Sequence, residues 1–370
     1  MKAHFSPTFL VLLGLLSLGL SERIKVSETL DRLLADYDPR VRPNYQVEPL
    51  TVNVSLYVLD MPKISSRDKE YTLMMFFRQF WKDERLAYAD GSLQENIVAS
   101  SGYSEKIWVP DTFFVNERKA TFHHIPSPNE FIRIEPDGRI LRSVRISVTL
   151  TCNMDMSGFP FDSQTCSMEM ESYGAQMKDI KYDWQALDIS SHIHSEDFAI
   201  IGFKNVTEEA HLSTGSYSRL VMKIFFERKS GYYVTVFMIP VAMLTILAMM
   251  SMWMDRDNII ARLGLILVGI MGVMCSSTIV QVLHPASETK AIDVYFGISV
   301  TMIFFVALEA VIVTKKGGKT QSGSYIESIA RLAMITAFVL FQVVIFIYAM
   351  VLKMGYPDGS EDMVLFVPNK

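Results

Sequence analysis

Beyond residue 231 the chain carries four apolar runs, at 232–254, 263–283, 294–314 and 332–352. Each meets the length of about 20 residues that a helix needs to cross a bilayer. Three of the runs hold no charge, and the other holds one acid, Glu309. With 50% hydrophobic and 20% charged residues over 370 positions, a wholly soluble chain is excluded. Lys315, Lys316, Lys319 and Arg331 lie between the third and fourth runs. By the positive-inside rule that loop is cytoplasmic. Four crossings then return the C-terminus to the outer side, with the N-terminus. The net charge of −5 offers no basic field for nucleic acid.

The first residues read as a targeting segment. Lys2 and His4 precede an apolar run from Phe9 to Leu20 that is too short to span, and Gly19-Leu20-Ser21 supplies small residues for cleavage. The chain thus divides into a signal peptide (1–21), an extracellular domain (22–230), three membrane helices (231–314), a short cytoplasmic loop (315–331), a fourth helix (332–352) and a polar extracellular tail (353–370). The tail carries Asp358, Glu361 and Asp362 and reads as solvated. Export agrees with two glycan acceptor sequons, at Asn53 and Asn205.

Within 22–230 the pattern is mostly of period two. A short amphipathic helix with Leu30, Leu33 and Leu34 on one face ends at Asp38-Pro39. Strand-like runs follow. Leu50, Val52, Val54, Leu56 and Val58 alternate with polar residues, as do Met222, Ile224 and Phe226; Leu73, Met75 and Phe77 alternate with Met74, Phe76 and Arg78. Many short strands without a long helical pattern predict an antiparallel β-sandwich, so the fold class is α+β in two parts, a sandwich followed by a four-helix membrane bundle. Cys152 and Cys166 are the only cysteines outside an apolar run. Joined, they would close a loop of about 15 residues, worth about 3 kcal/mol in the chain-entropy account. An oxidising compartment permits that bond. Inside the loop, Phe159-Pro160-Phe161 forms a stiff apolar tip ending at Asp162.

These features together resemble the Cys-loop family of pentameric ligand-gated ion channels. The resemblance rests on the cysteine spacing, the Phe159–Asp162 loop core, Trp108-Val109-Pro110-Asp111 and the order of the helices. Within the family the chain is most similar to GABA-type and glutamate-type anion channels. The stretch from Phe76 to Leu86 resembles GABA receptor α subunits; Glu171 to Gly174 and Ser213 to Leu220 resemble β subunits.

The resemblance implies an agonist held between adjacent extracellular domains. On one side Phe113, Tyr173 and Tyr217 would wall an ammonium, helped by Glu171, with Ser172 beside them and Thr214 on the closing loop. Aromatic faces attract a cation by about 0.5–2 kcal/mol each. On the other side Arg78 would grip a carboxylate, since the guanidinium fork suits it. Phe76, two residues away on the same strand face, would pack on the carbon chain, with Ser143 beside it. GABA has both charged ends. Taken singly, these aromatics read as sandwich core, Glu171 as a solvated strand residue and Arg78 as a surface charge; the joint match carries the assignment. Leu212 stands where GABA-binding subunits usually offer an aromatic.

For the pore, the resemblance places Gly264, Val268, Met271, Cys275 and Val282 on the lining face of the second helix, an apolar constriction that would gate by dewetting. Ala261 and Arg262 would set selectivity at the inner mouth. With no acid directly before it, a ring of Arg262 favours chloride. Coupling falls to Phe159, Pro160, Phe161, Asp162, Arg228 and Lys290, the loop tip and the turn Lys63-Ile64-Ser65 resting on residues 287–293. The expected setting is a postsynaptic plasma membrane, in a homo- or hetero-pentamer. Glutamate- or amine-gated channels and a non-conducting accessory receptor stand as alternatives. No metal-ligand spacing, phosphate-cradling loop or nucleophile elbow is present, so neither an enzyme nor a cofactor is expected.

Overall fold

The computed structural model describes residues 26–88, 95–255, 258–315, 321–355 and 362–366. The targeting segment 1–21, the loop cations Lys316 and Lys319 and the tail acids Asp358 and Glu361 lie outside the described residues.

Residues 26–35 form helix α1, whose Leu30, Leu33 and Leu34 pack on the sandwich core. Twelve strands follow among the described residues: β1 (Leu50–Ser65), β2 (Glu70–Lys82), β3 (Ile97–Ser100), β4 (Thr112–Phe114), β5 (Glu117–Phe122), β6 (Glu130–Ile134), β7 (Arg139–Thr151), β8 (Ser163–Ser172), β9 (Ile180–Ile189), β10 (Phe198–Leu212), β11 (Gly215–Arg228) and β12 (Val364–Leu365). One sheet runs β3-β6-β7-β2-β1-β9, with β5 also on β7; the other runs β12-β10-β11-β8-β4. All pairs are antiparallel except β1 with β9, which departs from the purely antiparallel expectation.

The period-two pattern decides which side of each strand meets the core. On β1, Leu50, Val52, Val54, Leu56 and Val58 are buried; on β2, Leu73, Met75 and Phe77 are buried, and Phe76, Arg78 and Phe80 face the other way. Met222, Ile224 and Phe226 of β11 close the core from the second sheet.

Among the described residues four helices are long and apolar enough to cross a membrane: α2 (Gly231–Trp253), α3 (Ile259–Leu283), α4 (Ala291–Lys315) and α5 (Gln321–Met354). Helix α2 contains a π-helical turn at Val234–Met238, which ends two residues before Pro240. Proline lacks the N–H that an α-helix needs, and a wider turn absorbs the defect. Helix α3 starts earlier than hydropathy indicates, because the Asn258 side chain caps Ala261 N–H. Helix α5 begins at Gln321, so much of the expected loop 315–331 is helical. Hydropathy marks only the lipid-facing part of a helix and misses its polar ends.

The tail departs from expectation too. Val364 and Leu365 pair with Phe203 and Gly202 of β10, so this part of the tail is an edge strand with exposed side chains.

A second core joins sandwich and bundle. Met156, Phe159 and Phe161 cluster with Tyr233, Phe237, Ile292 and Tyr295 of the helical part. Cys152 and Cys166, which form a disulfide, belong to the sandwich core instead. The bond therefore anchors in one core a loop whose tip is buried in the other.

Candidate functional site

One face lies on sheet β3-β6-β7-β2-β1-β9. Arg78 stands on the outer side of β2, in register with Ser55 on one neighbour and Ser143 on the other. Its guanidinium lies 5.6 Å from the centroid of the Phe76 ring, and Tyr57 stacks on Phe76 at 6.4 Å. No carboxylate pairs with Arg78 among the described residues. A half-buried guanidinium resting on a ring and lacking an anion is suited to accept one from outside the chain.

The other face lies on the second sheet and its β10–β11 hairpin. Phe113 and Tyr173 meet edge to face at 5.5 Å, and Tyr173 is 78% exposed. Tyr217 is buried near the hairpin turn, and its hydroxyl donates to Thr214 Oγ1 at 2.9 Å. Gly215 supports this turn with φ of 140°, a conformation side chains rarely adopt. The Tyr173 turn is held by Asp111: its Oδ1 accepts from Ser172 Oγ at 2.6 Å, and its Oδ2 from Gly174 N–H at 2.8 Å. Ser172 is thus a buried fastening rather than an exposed ligand contact.

Glu171 requires a correction. It is neither solvated nor free: Arg219 Nε donates to Glu171 Oε2 at 2.9 Å, and Arg219 Nη1 to Glu169 Oε2 at 2.9 Å. One arginine between two carboxylates leaves a triad of net charge about −1. The negative field on this face belongs to the triad, and Arg219 holds it in place. The signal was the Arg two residues after Tyr217, on the same strand. No described contact joins the Arg78 face to the Tyr173 face; both lie on one chain, on different sheets.

The junction is closed around Phe159, which is fully buried. Its ring meets Tyr233 at 4.7 Å and His284 at 5.0 Å, with the Arg228 guanidinium at 4.8 Å and Lys290 Nζ at 5.9 Å. Arg228 binds Asp162 through two nitrogens, at 2.7 and 2.9 Å, and donates to Ser66 Oγ at 3.0 Å. The loop rests on residues 287–293 through Ala291 N–H to Ser157 O and Ile292 N–H to Phe159 O. Lys290 Nζ donates to His284 O at 2.8 Å, and burial lowers its pKa. Lys63 bonds to Asp68 and Glu70 of its own hairpin. His284, missed in the sequence, bonds Tyr233 through Nε2 at 2.7 Å. Burial is the main reason its pKa is lowered, and Arg228 adds to it. Its signal was only its position at the end of an apolar run.

A sequence profile of the neurotransmitter-gated ion-channel ligand binding domain matches residues 26–230. The chain belongs to the neurotransmitter-gated ion-channel family. It is 35% identical over 292 residues to gamma-aminobutyric acid receptor subunit beta-4 of Gallus gallus, covering 77% of this chain and 59% of that subunit. It is likewise 35% identical over 293 residues to gamma-aminobutyric acid receptor subunit theta of Mus musculus, covering 77% of this chain and 45% of that one. The chain therefore spans about half the length of these relatives. Members of this family are ligand-gated channels, not enzymes.

Against this family background helix α3 has two sides. Arg262, Ile266, Gly269, Val273 and Val280 are buried in the chain's own bundle. Gly264, Val268, Met271, Cys275 and Val282 are exposed on the opposite side. Arg262 is a correction: it is 1% exposed, and its Nη2 donates to Glu309 Oε2 at 2.8 Å and its Nε to Ser251 O at 3.0 Å. A buried arginine neutralised by its own chain's glutamate does not form a free cationic ring. Of the sequons, Asn205 is exposed on β10, and Asn53 is half-buried on the central strand β1.

Proposed function

We propose that the chain is a subunit of a pentameric GABA-gated chloride channel of the plasma membrane at a postsynaptic site. The agonist is held between the Tyr173 face of one subunit and the Arg78 face of the next. One observation carries the reading: Arg78 sits beside Phe76 with no carboxylate partner among the described residues. A zwitterionic amino acid supplies the missing anion, and its ammonium meets Phe113, Tyr173 and Tyr217 near the Glu169–Arg219–Glu171 triad. Relatives named as gamma-aminobutyric acid receptor subunits favour GABA over glutamate or an amine. Chloride rests on that kinship and on Ile260-Ala261 preceding Arg262 without an acid, not on a charged ring.

The apolar stretch Val268, Met271 and Cys275 on the exposed side of α3 favours a second reading, an accessory subunit that binds agonist but passes ions only with partners. Val268 and Met271 offer no hydroxyl to water. The deciding experiment is voltage-clamp recording from cells expressing the chain alone and with a related β subunit, challenged with GABA, glutamate, glycine and biogenic amines. GABA-evoked current reversing at the chloride potential supports the first reading. Current only in the mixed setting selects the second, and responses to another agonist alone replace GABA.

A further inference from the structure

The β10 strand would be the open edge of its sheet were it not for the C-terminal tail. Exposed edges invite strand addition, and here the added strand is the chain's own β12. Val364 pairs with Phe203 and Leu365 with Gly202, and Phe366 N–H donates to Ile201 O at 2.9 Å. Gly202 fits this contact closely. A Cβ there would lie 2.5 Å from Val364 O and 3.2 Å from Met363 Sδ. Any side chain at this position displaces the tail.

The end of α5 is tied down at two more points. Lys353 Nζ lies 3.3 Å from Glu227 Oε1 on β11, the strand paired with β10. Leu352 packs at the second core and is the atom group a side chain at Gly158 would meet, at 3.1 Å. The fourth helix therefore touches the disulfide loop and β11, and the tail strand beyond it pairs with β10. Strands β10 and β11 form the hairpin whose far turn is Leu212–Gly215, beside Thr214 and Tyr217.

We propose that the C-terminal tail is a strap: by adding a strand to β10 it tethers the end of α5 to the base of the β10–β11 hairpin and limits that hairpin's motion. The bearing on agonist response rests on reading the hairpin as the agonist-closing element. The strap itself does not, because it is made of backbone hydrogen bonds that local opening must break. Its side chains, Val364 and Leu365, are more than half exposed and add little.

The test uses full-length chain and three variants: a stop in place of Asp362, Gly202→Val, and both together. Amide hydrogen exchange is followed over β10 and β11, and GABA dose–response is recorded in parallel. Truncation and Gly202→Val are each expected to speed exchange at Phe203 and its neighbours by roughly tenfold, with the Cys152–Cys166 loop unchanged. The two changes act on one contact, so the double variant should match the truncation alone. If truncation leaves exchange in β10 unaltered, the strap is refuted. If Gly202→Val speeds exchange as much in the truncated chain as in the full one, the glycine serves β10 itself and the strap is again refuted. Where exchange rises as expected and GABA potency moves by the same factor in truncation and Gly202→Val, the strap acts on the closing hairpin. Where exchange rises but no variant, nor the parent, responds to GABA, the strap stands and the agonist reading fails.

Discussion

At the residue scale the charges sort by whether they already have partners. Arg228, Arg262 and Arg219 are committed to carboxylates within the chain, and Arg78 has none among the described residues. Arg78→Ala is therefore expected to weaken GABA response by roughly 10- to 150-fold, the ~1.5–3 kcal/mol of a charge-assisted bond. Arg78→Lys should recover little, because the fork is lost. Dose–response curves check this; an unchanged curve with Arg78→Ala would point to an agonist without a carboxylate. His284 gives a pH prediction. Its pKa lies below the ordinary imidazole value, so its contribution is complete above about pH 6.5 and is lost as pH falls through the lowered folded value. Burial, Arg228 and Lys290 oppose its protonation, and Asp197 and Asp162 favour it. Thermal melts of the full chain should fall in stability on acidification from about pH 7.5 to about pH 5.5, and His284→Gln should flatten that slope. Equal slopes in both proteins would remove His284 as the cause. Residue types and strand faces were legible in sequence: Phe76 and Arg78 share one side of β2, as their spacing requires. Partnering was not legible. That Glu171 faces Arg219 depends on β8 lying beside β11, a pairing between segments far apart in sequence.

At the scale of elements, the disulfide loop and helix α3 carry the argument. Period two announced β1, β2 and β11 correctly, because one side of each is core and the other is not. It could not announce the parallel β1–β9 pair, which depends on long-range packing. The pattern also says nothing of β12, held by backbone bonds with its side chains in solvent. The loop's two anchorages give a prediction. Cys152→Ser should abolish surface assembly, as the sandwich loses a clamp of about 3 kcal/mol on the loop that reaches Tyr233 and Ile292. Surface labelling checks it, and normal labelling with normal gating would refute it. Along α3, Met271 is 64% exposed, on the side opposite Gly269 and Val273. If that side lines a pore, Met271→Ser should favour water in the closed state and leave a standing current without agonist. Absence of such current, alone or with a related β subunit, in protein that reaches the surface would remove Met271 as the gate.

At the scale of the whole molecule, the two faces proposed to hold the agonist lie on different sheets of one sandwich, with no described contact between them. On the proposed reading, Arg78 reaches the ligand beside Tyr217 from a neighbouring subunit. This makes a prediction that neither face makes alone. A chain with Arg78→Ala keeps an intact aromatic face, and a chain with Tyr217→Ala keeps an intact arginine face. Each expressed alone forms only damaged interfaces. Expressed together, they form some interfaces in which the first chain's aromatics meet the second chain's guanidinium. Those interfaces are wild type in every contacting group, so a component of the GABA response should return at nearly the parent concentration, with reduced maximal current. The measurement is dose–response from cells expressing each variant singly and both in equal amount, with surface labelling of each. A biphasic curve in the mixture, its sensitive phase absent from either variant alone, supports an agonist shared between subunits. If both variants reach the surface together and the sensitive phase does not return, the agonist is bound within one subunit or at an interface with a different chain, and the Arg78–Tyr217 pairing across subunits is wrong.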